Sequence, residues 1–172
     1  MIKPFVIVIA GPTGVGKTAF VKVIKKHFGC SHLSEDKIAR EIFPDIYKDI
    51  EDYPDKVGII ARQLFRRAKD IFENGESVVI DRINLEKKFI KDIKKTFHKH
   101  LMLKILWPPI ETTIERDRKR EGWTSGENTI KIFYKKYEKL KPIIGEKNYI
   151  NNSHQTPEET FEKFIEQELE QK

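Results

Sequence analysis

The sequence predicts an α/β fold with three layers, in which helices cover both faces of a mostly parallel, five-stranded sheet. Two observations lead to this prediction. Short apolar runs rich in Val and Ile alternate along the chain with longer stretches in which apolar residues recur at helical spacing. No internal repeat or low-complexity linker interrupts the alternation, so residues 1–172 are expected to form a single domain.

The predicted elements follow from these patterns and from the residues that end them. The strands are expected at residues 5–10, 30–33, 77–81, 101–107 and 149–150. The helices are expected at about residues 19–28, 34–43, 57–72, 86–97, 110–121 and 127–140, followed by a C-terminal helix. Pro44 ends one helix, and Thr156-Pro157-Glu158-Glu159 forms a capping box at the start of the last. Residues 44–55, which are rich in Pro and Asp, predict a loop.

The composition limits the possible classes of protein. With 33 Lys and Arg against 27 Asp and Glu, the net charge of +6 permits a polyanionic partner without requiring one. The single cysteine, Cys30, excludes an intramolecular disulfide framework, and its apolar surroundings indicate a buried thiol. The longest apolar run, residues 4–10, is too short to span a membrane and leads into a glycine-rich segment. A cytoplasmic protein without membrane association is expected.

The glycine-rich segment Gly11-Pro12-Thr13-Gly14-Val15-Gly16-Lys17-Thr18 is the most informative motif. It matches the phosphate-binding pattern G-x-x-x-x-G-K-[ST] and lies between a predicted strand and a predicted helix. Backbone N–H groups and the helix dipole favour anions at such a junction. We expect this P-loop to bind ATP, with Lys17 at the β- and γ-phosphates and Thr18 as a ligand of Mg²⁺. The fold class is then that of the P-loop NTPases.

Two acidic residues are predicted at the carboxyl edge of the sheet, where such folds bind ligands. Asp81 ends the third strand and is expected to help hold Mg²⁺, although an Asp there could instead cap the following turn. Asp36 follows the second strand and is the candidate base for an acceptor hydroxyl. Glu35 is an alternative base, and both acids could simply favour the start of a helix.

The run Glu115-Arg116-Asp117-Arg118-Lys119-Arg120 allows two interpretations. In a continuous helix Arg116 and Arg120 share one face, where they could close over a transferring phosphate as part of a lid at about residues 110–128. The alternative is a solvated face with Glu115–Lys119 pairing. We favour the lid, because the glycine-flanked segment 122–126 suggests mobility.

Two further candidates concern the substrates. Arg62, with its neighbours Arg66 and Arg67, lies on the polar side of its predicted helix and is either a surface charge or a ligand of acceptor phosphates. Trp123, in the glycine-flanked loop, is a candidate for stacking on a base.

The motifs favour a phosphotransferase over a switch or a motor. A GTPase would need N-K-x-D, which the sequence lacks, and the D-x-x-G at residues 55–58 follows Tyr53-Pro54 rather than an apolar strand. Motor ATPases usually need longer chains. A single domain with a basic lid suits an enzyme that encloses two substrates and excludes water.

Taken together, these motifs resemble the P-loop polynucleotide 5′-hydroxyl kinases, AAA-type P-loop kinases related to the zeta-toxin-like kinases. The resemblance is carried by residues 11–18, 34–36, 79–85, 106–109, 116, 120 and 133–138. It implies ATP- and Mg²⁺-dependent transfer of the γ-phosphate to the 5′ end of RNA or DNA, with a role such as RNA repair. It also implies an acceptor-site aspartate at Asp36, lid arginines at Arg116 and Arg120, and substrate binding by Asn84.

One position departs from that family. Its catalytic aspartate is usually followed three residues later by an arginine, where this sequence has Ala39, and Arg40 comes one position further on. Arg40 is therefore the candidate to contact an acceptor phosphate. The string Asp36–Glu41 also resembles zeta-toxin-like kinases, whose acceptors are sugar nucleotides. A small-molecule acceptor (a nucleotide, sugar or sugar nucleotide) is accordingly the alternative to a nucleic acid.

Overall fold

The computed structural model describes residues 3–122 and 124–170, so the predicted role of Trp123 lies outside the described residues. The strands are β1 (Val6–Ala10), β2 (Ser31–Ser34), β3 (Val78–Arg82), β4 (Leu101–Leu106) and β5 (Tyr149–Ile150). The α-helices are α1 (Lys17–Phe28), α2 (Glu35–Ile42), α3 (Pro54–Glu73), α4 (Lys87–Phe97), α5 (Ile110–Arg118), α6 (Glu127–Glu138), α7 (Lys141–Ile144), α8 (Pro157–Phe161) and α9 (Gln167–Glu170). Short 3₁₀ segments occur at Tyr47–Asp52, His98–His100 and Glu146–Asn148, and a π-helical turn joins α8 to α9.

The five strands form one parallel sheet in the order β2-β3-β1-β4-β5. The predicted α/β P-loop fold is thereby confirmed. Because every strand runs in the same direction, all carboxyl ends lie at one edge of the sheet. The P-loop after β1, the start of α2 after β2 and the end of β3 therefore lie side by side.

Helices cover both faces of the sheet, as the alternation of side chains along β1 requires. Val6, Val8 and Ala10 belong to a core shared with α2, α3, α4 and α6. Ile7 and Ile9 point the other way, into a second core shared with α1 and α8. The strand is apolar throughout because both of its faces are buried.

Two predicted elements differ from the structure. Residues 44–55 are not a plain loop, because Tyr47–Asp52 forms a 3₁₀ segment that buries Ile50 in the core. The helix predicted at 110–121 ends at Arg118, where the backbone turns and the Arg120 N–H donates to Asp117 O at 3.2 Å. The capping box is present, with Thr156 Oγ1 accepting from the Glu159 N–H. Among the described residues, none of the helices combines the length and the apolar character needed to cross a bilayer.

Candidate active site

The P-loop backbone forms a tight turn at the carboxyl end of β1. Gly11 and Gly14 have φ angles of +145° and +79°, which side-chain-bearing residues rarely adopt. A Cβ atom on Gly11 would lie 2.6 Å from the carbonyl oxygen of Leu106, so the turn also needs glycine for space. Helix α1 begins at Lys17 with no side-chain cap and no acidic residue in its first turn. Its N–H groups and its dipole are therefore available to an anion.

The Lys17 side chain folds back and hydrogen-bonds the backbone of the P-loop. Its Nζ donates to the carbonyl oxygens of Gly11 at 2.9 Å and of Pro12 at 2.7 Å. Burial lowers the pKa of Lys17, while the carboxylates of Asp81 and Asp36 oppose that shift. The ammonium group thus lies within electrostatic reach of both predicted acids.

Asp81 occupies the position predicted for it, at the carboxyl end of β3. In the sheet it is paired with Ile9 of β1 on one side and with Ser34 of β2 on the other. Its pKa is raised to about 6, chiefly by burial; Lys17 lowers it, and Asp36 and Glu35 raise it further. A carboxyl group with such a pKa is poised to exchange a proton for a cation near neutral pH.

The adjacent acids Glu35 and Asp36 have different surroundings. Glu35 is buried, and its Oε2 accepts from the N–H groups of Ile83 at 2.6 Å and Asn84 at 2.9 Å. Its Oε1 accepts from Arg82 Nη2 at 3.2 Å. Asp36 faces the cleft, and the hydrogen bonds found within residues 3–122 and 124–170 include none to its carboxylate. Its pKa is raised by desolvation and by Glu35, against the charges of Lys17 and Arg40.

The two lid arginines are not i, i+4 neighbours on one helix face, because Arg120 lies beyond the end of α5. Arg116 Nη2 donates to the carbonyl oxygens of Asn152 at 3.0 Å and Ser153 at 3.3 Å. Arg120 is exposed, and its charge lowers the pKa of both Lys17 and Asp36. Arg116 is thus fixed against the loop after β5, whereas Arg120 acts on the region between the predicted donor and acceptor sites.

The outer side of α5 has the Glu115–Lys119 pair that the alternative interpretation predicted, with Lys119 Nζ 2.5 Å from Glu115 Oε1. A second surface pair joins Arg118 Nη2 to Glu127 Oε2 at 3.0 Å. This side of the basic run is therefore a solvated face, and the lid remains a prediction.

The segment after α5 is attached to the P-loop by residues that the sequence did not single out. Asp117 is buried and accepts from the N–H groups of Ser125 at 3.1 and 3.0 Å and of Gly126 at 3.0 Å. Ser125 Oγ donates to Thr13 Oγ1 at 2.8 Å. The available signal was the spacing of Thr113 and Asp117, four residues apart on the buried side of α5. The distal part of segment 122–126 is therefore held rather than loose.

Tyr137 is a second residue that sequence reasoning missed. Its buried hydroxyl accepts from the Gly11 N–H at 2.9 Å and donates to the carbonyl oxygen of Ile83 at 2.6 Å. It thereby ties the start of the P-loop to the turn after β3. Asn152 supports the other end of the loop, with its Nδ2 donating to Val15 O at 3.0 Å.

The tentative substrate-binding residues separate into two groups. Arg40 lines the cleft, with its guanidinium 4.6 Å from the centre of the Tyr47 ring. Asn84 is buried at the same edge, and its Oδ1 accepts from Lys136 Nζ at 3.3 Å. Arg62 is exposed on α3 and does not line the cleft. The structure thus brings Arg40 and Asn84 to the site and leaves Arg62 outside it.

These residues enclose one cleft of about 560 Å³ at the carboxyl edge of the sheet. Its lining includes the P-loop, both candidate acids, both arginines of the predicted lid, and residues of the segment Tyr47–Asp52, which we call the wall segment. The lining residues used below are Thr13, Gly14, Gly16, Lys17, Thr18, Asp36, Arg40, Tyr47, Glu51, Asp81, Asn84, Arg116 and Arg120.

The cleft suits a magnesium nucleotide. The uncapped start of α1 and the Gly11 turn form a cradle that a Cβ atom would fill. The Thr18 hydroxyl and the Asp81 carboxylate are oxygen donors of the kind that Mg²⁺ combines with phosphate oxygens and water. Within the described part of the chain, no group of three or more His, Cys, Asp or Glu could hold a metal by itself. The oxygen atoms of Thr18 and Asp81 therefore suit a cation that is also bound by phosphate oxygens better than a metal held by protein alone.

Comparison with known families agrees with this architecture. The AAA_33 family model, described as an AAA domain, matches residues 6–133, which include the P-loop, both acids and α5. The chain belongs to this family. No curated protein matches the sequence of this AAA domain significantly.

Solved structures show the same fold at low sequence identity. A gluconokinase from Sinorhizobium meliloti 1021 has a TM-score of 0.75 and 18% identity, over 99% of this chain and 94% of its own. A shikimate kinase from Acinetobacter baumannii has a TM-score of 0.69 and 15% identity, over 98% of this chain and 95% of its own. A chain of the Pnkp1/Rnl/Hen1 RNA repair complex has a TM-score of 0.63 and 17% identity, over 83% of this chain and 47% of its own. The fold is that of the P-loop kinases.

Proposed function

We propose that this AAA domain is an ATP-dependent kinase that transfers the γ-phosphate to a hydroxyl acceptor. The observation that carries the proposal is the position of Lys17, Asp36 and Asp81 in one cleft, where the charge of Lys17 lowers the pKa of both carboxyl groups and the charge of Asp36 raises the pKa of Asp81. A phosphate-binding cation, a metal-binding carboxylate and an unpaired carboxylate are the groups that phosphoryl transfer to a hydroxyl requires.

Each residue has a separate task in this proposal. The N–H groups at the start of α1 and the Lys17 ammonium bind the phosphates of ATP, and Thr18 and Asp81 hold Mg²⁺. Bound Mg²⁺·ATP supplies the phosphoryl group and neutralises part of its charge. Asp36 orients the acceptor hydroxyl and accepts its proton. Arg120 offsets the charge that develops between the two substrates.

The acceptor that we propose is the 5′-hydroxyl of a polynucleotide, RNA or DNA. Arg40 lies four residues after Asp36 on α2, and its side chain lines the same cleft. A nucleic-acid 5′ end presents a phosphate one nucleotide away from its terminal hydroxyl, so one cation beside the base matches its chemistry. The motif resemblance supports the same acceptor, and the similar chain from an RNA repair complex is compatible with it.

A small molecule is the second candidate acceptor, and the wall of the cleft favours it. The wall segment Tyr47–Asp52 carries three acidic residues against one lysine; Glu51 and Lys48 line the cleft, and Asp49 and Asp52 lie outside that lining. The pKa of Glu51 is raised by burial, and Asp52 and Asp49 raise it further, as expected for crowded negative charge. This side of the cleft would repel the backbone of a long nucleic acid, but it would tolerate a compact acceptor.

We also propose that the whole chain acts as one kinase domain, with a lid at about residues 110–128. The hydrogen bond from Ser125 to Thr13 and the contacts of Asp117 support a lid whose position is fixed relative to the P-loop. The fixed position of Arg116 leaves Arg120 as the arginine that approaches the transferring group.

The test offers γ-labelled ATP with 5′-hydroxyl RNA and DNA oligonucleotides, beside a panel of nucleosides, nucleotides, sugars and sugar acids. We expect label on the 5′ end of an oligonucleotide and none with Lys17→Ala, because the P-loop cation is then missing. Lys26→Ala, at an exposed site on α1, is the matched control and should stay active. Label only on a small acceptor would replace the polynucleotide proposal, and activity retained by Lys17→Ala would overturn the kinase proposal.

A further inference from the structure

A second concavity of about 490 Å³ lies outside the proposed active site, between the start of α4 and the exposed face of α6. We call it the lysine groove. Its lining consists of four lysines, one acid and three apolar residues, which are Lys87, Lys135, Lys136, Lys139, Glu86, Leu85, Ile132 and Leu140. Ile132 is 66% exposed, the largest exposure among the large apolar side chains of the described residues. The groove thus combines an apolar floor with a positive rim.

The one acid in the lining, Glu86, contacts Arg82 at 3.5 Å and forms no ion pair with the three exposed lysines of the rim. Lys87, Lys135 and Lys139 are exposed, and the ion pairs within residues 3–122 and 124–170 include none of them. Two lysines on the same helices but outside the groove, Lys88 and Lys131, are paired with Asp92 and Glu127. The groove therefore presents three exposed lysines that form no ion pair among the described residues.

The lysine groove adjoins the proposed active site. Lys136, which lines the groove, donates to Oδ1 of Asn84, which lines the cleft. Arg82 and Glu86 make a second connection, with Nη2 and Oε2 3.5 Å apart. A strand that leaves the cleft past Asn84 would enter the groove directly.

We propose that the lysine groove binds the body of a single-stranded nucleic acid whose 5′ end lies in the cleft. Phosphates would contact the lysines, and the sugars and base faces would cover Ile132 and the apolar floor. A single strand carries both regular negative charge and exposed apolar faces, which is the combination that the groove complements. The inference rests on the proposed kinase function with a polynucleotide acceptor, and it adds a binding surface remote from the transferred phosphate.

The first experiment measures binding separately from catalysis. A fluorescent oligonucleotide of about 12 nucleotides that already carries a 5′-phosphate is titrated with the protein, and anisotropy gives Kd. We expect Lys135→Ala/Lys139→Ala to raise Kd about tenfold and to reduce the salt slope of log K by about 1.4, or ~0.7 for each phosphate contact. Lys25→Ala/Lys26→Ala, on α1 at the other face of the sheet, is the matched control and should leave Kd unchanged.

The second experiment compares acceptors of different length. In the lysine double variant, the ratio of kcat/KM for the 12-nucleotide acceptor to that for a dinucleotide should fall about tenfold, through KM. Unchanged Kd, salt slope and ratio would overturn the groove proposal, as would binding only to an acidic peptide or to anionic vesicles. Binding with the expected slope but no phosphorylation of any acceptor would instead contradict the kinase proposal.

Discussion

The proposed donor and acceptor halves of the cleft are built from different parts of the chain. The donor half is mainly backbone, a turn held by Tyr137 at Gly11 and by Asn152 at Val15. The acceptor half consists of side chains from α2 and from the wall segment Tyr47–Asp52. A backbone cradle binds any phosphate chain in the same way, whereas side chains can change without altering the fold. We therefore expect acceptor specificity to depend on the half that carries Arg40 and Tyr47.

The two halves meet at a pair of adjacent acids that have opposite roles. Glu35 faces inward and binds the turn after β3 through Ile83 and Asn84, while Asp36 faces the cleft. Neighbouring residues on a helix point about 100° apart, which is enough to separate a structural carboxylate from a reactive one. We therefore expect the proposed acceptor half to depend on Glu35 for its shape and on Asp36 for its chemistry.

Among substitutions that test the comparison of the two halves, those of Glu35 and Asp36 should have the largest effects. Asp36→Asn should reduce kcat by about 10²–10⁴-fold, because the proton acceptor is lost while the shape is kept. ATP binding, measured by calorimetry, should change little. Glu35→Gln should instead lower the free energy of unfolding by about 3 kcal/mol, because buried Arg82 loses its buried charged partner and keeps only the longer, 3.5 Å contact with Glu86. Normal turnover in Asp36→Asn, or an unaltered unfolding curve for Glu35→Gln, would contradict the assignment of a catalytic role to Asp36 and a structural role to Glu35.

The backbone nature of the donor half predicts the next largest effect. Gly11→Ala should destabilise the protein by about 2 kcal/mol and weaken ATP binding, because its Cβ would lie 2.6 Å from Leu106 O at a φ of +145°. Denaturant unfolding and nucleotide titration measure both quantities. Gly58→Ala is the matched control: this glycine lies within α3 with its nearest neighbour at 3.7 Å, so the change should stabilise by about 0.5–1 kcal/mol. Equal effects at the two glycines would contradict the comparison.

The halves also differ in how far the sequence could predict them. Local patterns predict the order of strands and helices along the chain, the place of the P-loop between β1 and α1, and the position of Asp81 near the end of β3. The structure has all three where they were expected. The difference between Glu35 and Asp36 depends on backbone partners 48 and 49 residues away, which no local pattern contains. The confirmed part, the fold, is thus the part that short-range physics determines, and the P-loop and Asp81 lie where local patterns predicted them.

The remaining differences have the same cause. The 3₁₀ segment at Tyr47–Asp52 forms because one apolar residue, Ile50, reaches the core from an acidic stretch. The early end of α5 separates Arg120 from Arg116, although the sequence alone is compatible with a longer helix. Arg62 satisfied the same charge pattern as Arg40, but only Arg40 lies at the cleft. Which arginine meets a substrate depends on how α2 and α3 pack, and composition does not encode this.

The smallest expected effect concerns Asp81, whose carboxyl group interacts with Lys17 of the donor half and with Asp36 of the acceptor half. Its pKa is raised from 3.8 to about 6, so the protonated form stabilises the fold fully below about pH 4, and this contribution is lost as pH rises through about 6. In the absence of nucleotide and Mg²⁺, Asp81→Asn should therefore melt about 4 °C higher than the natural protein at pH 7, with no difference at pH 4. For the natural protein, Mg²⁺ affinity should fall about tenfold per unit below pH 6, because the cation competes with one proton. A lower melting temperature for Asp81→Asn at pH 7 would contradict this prediction. It would mean that the attraction between Lys17 and the ionised Asp81 carboxylate outweighs the cost of burying that carboxylate, so the negative charge would stabilise the donor half.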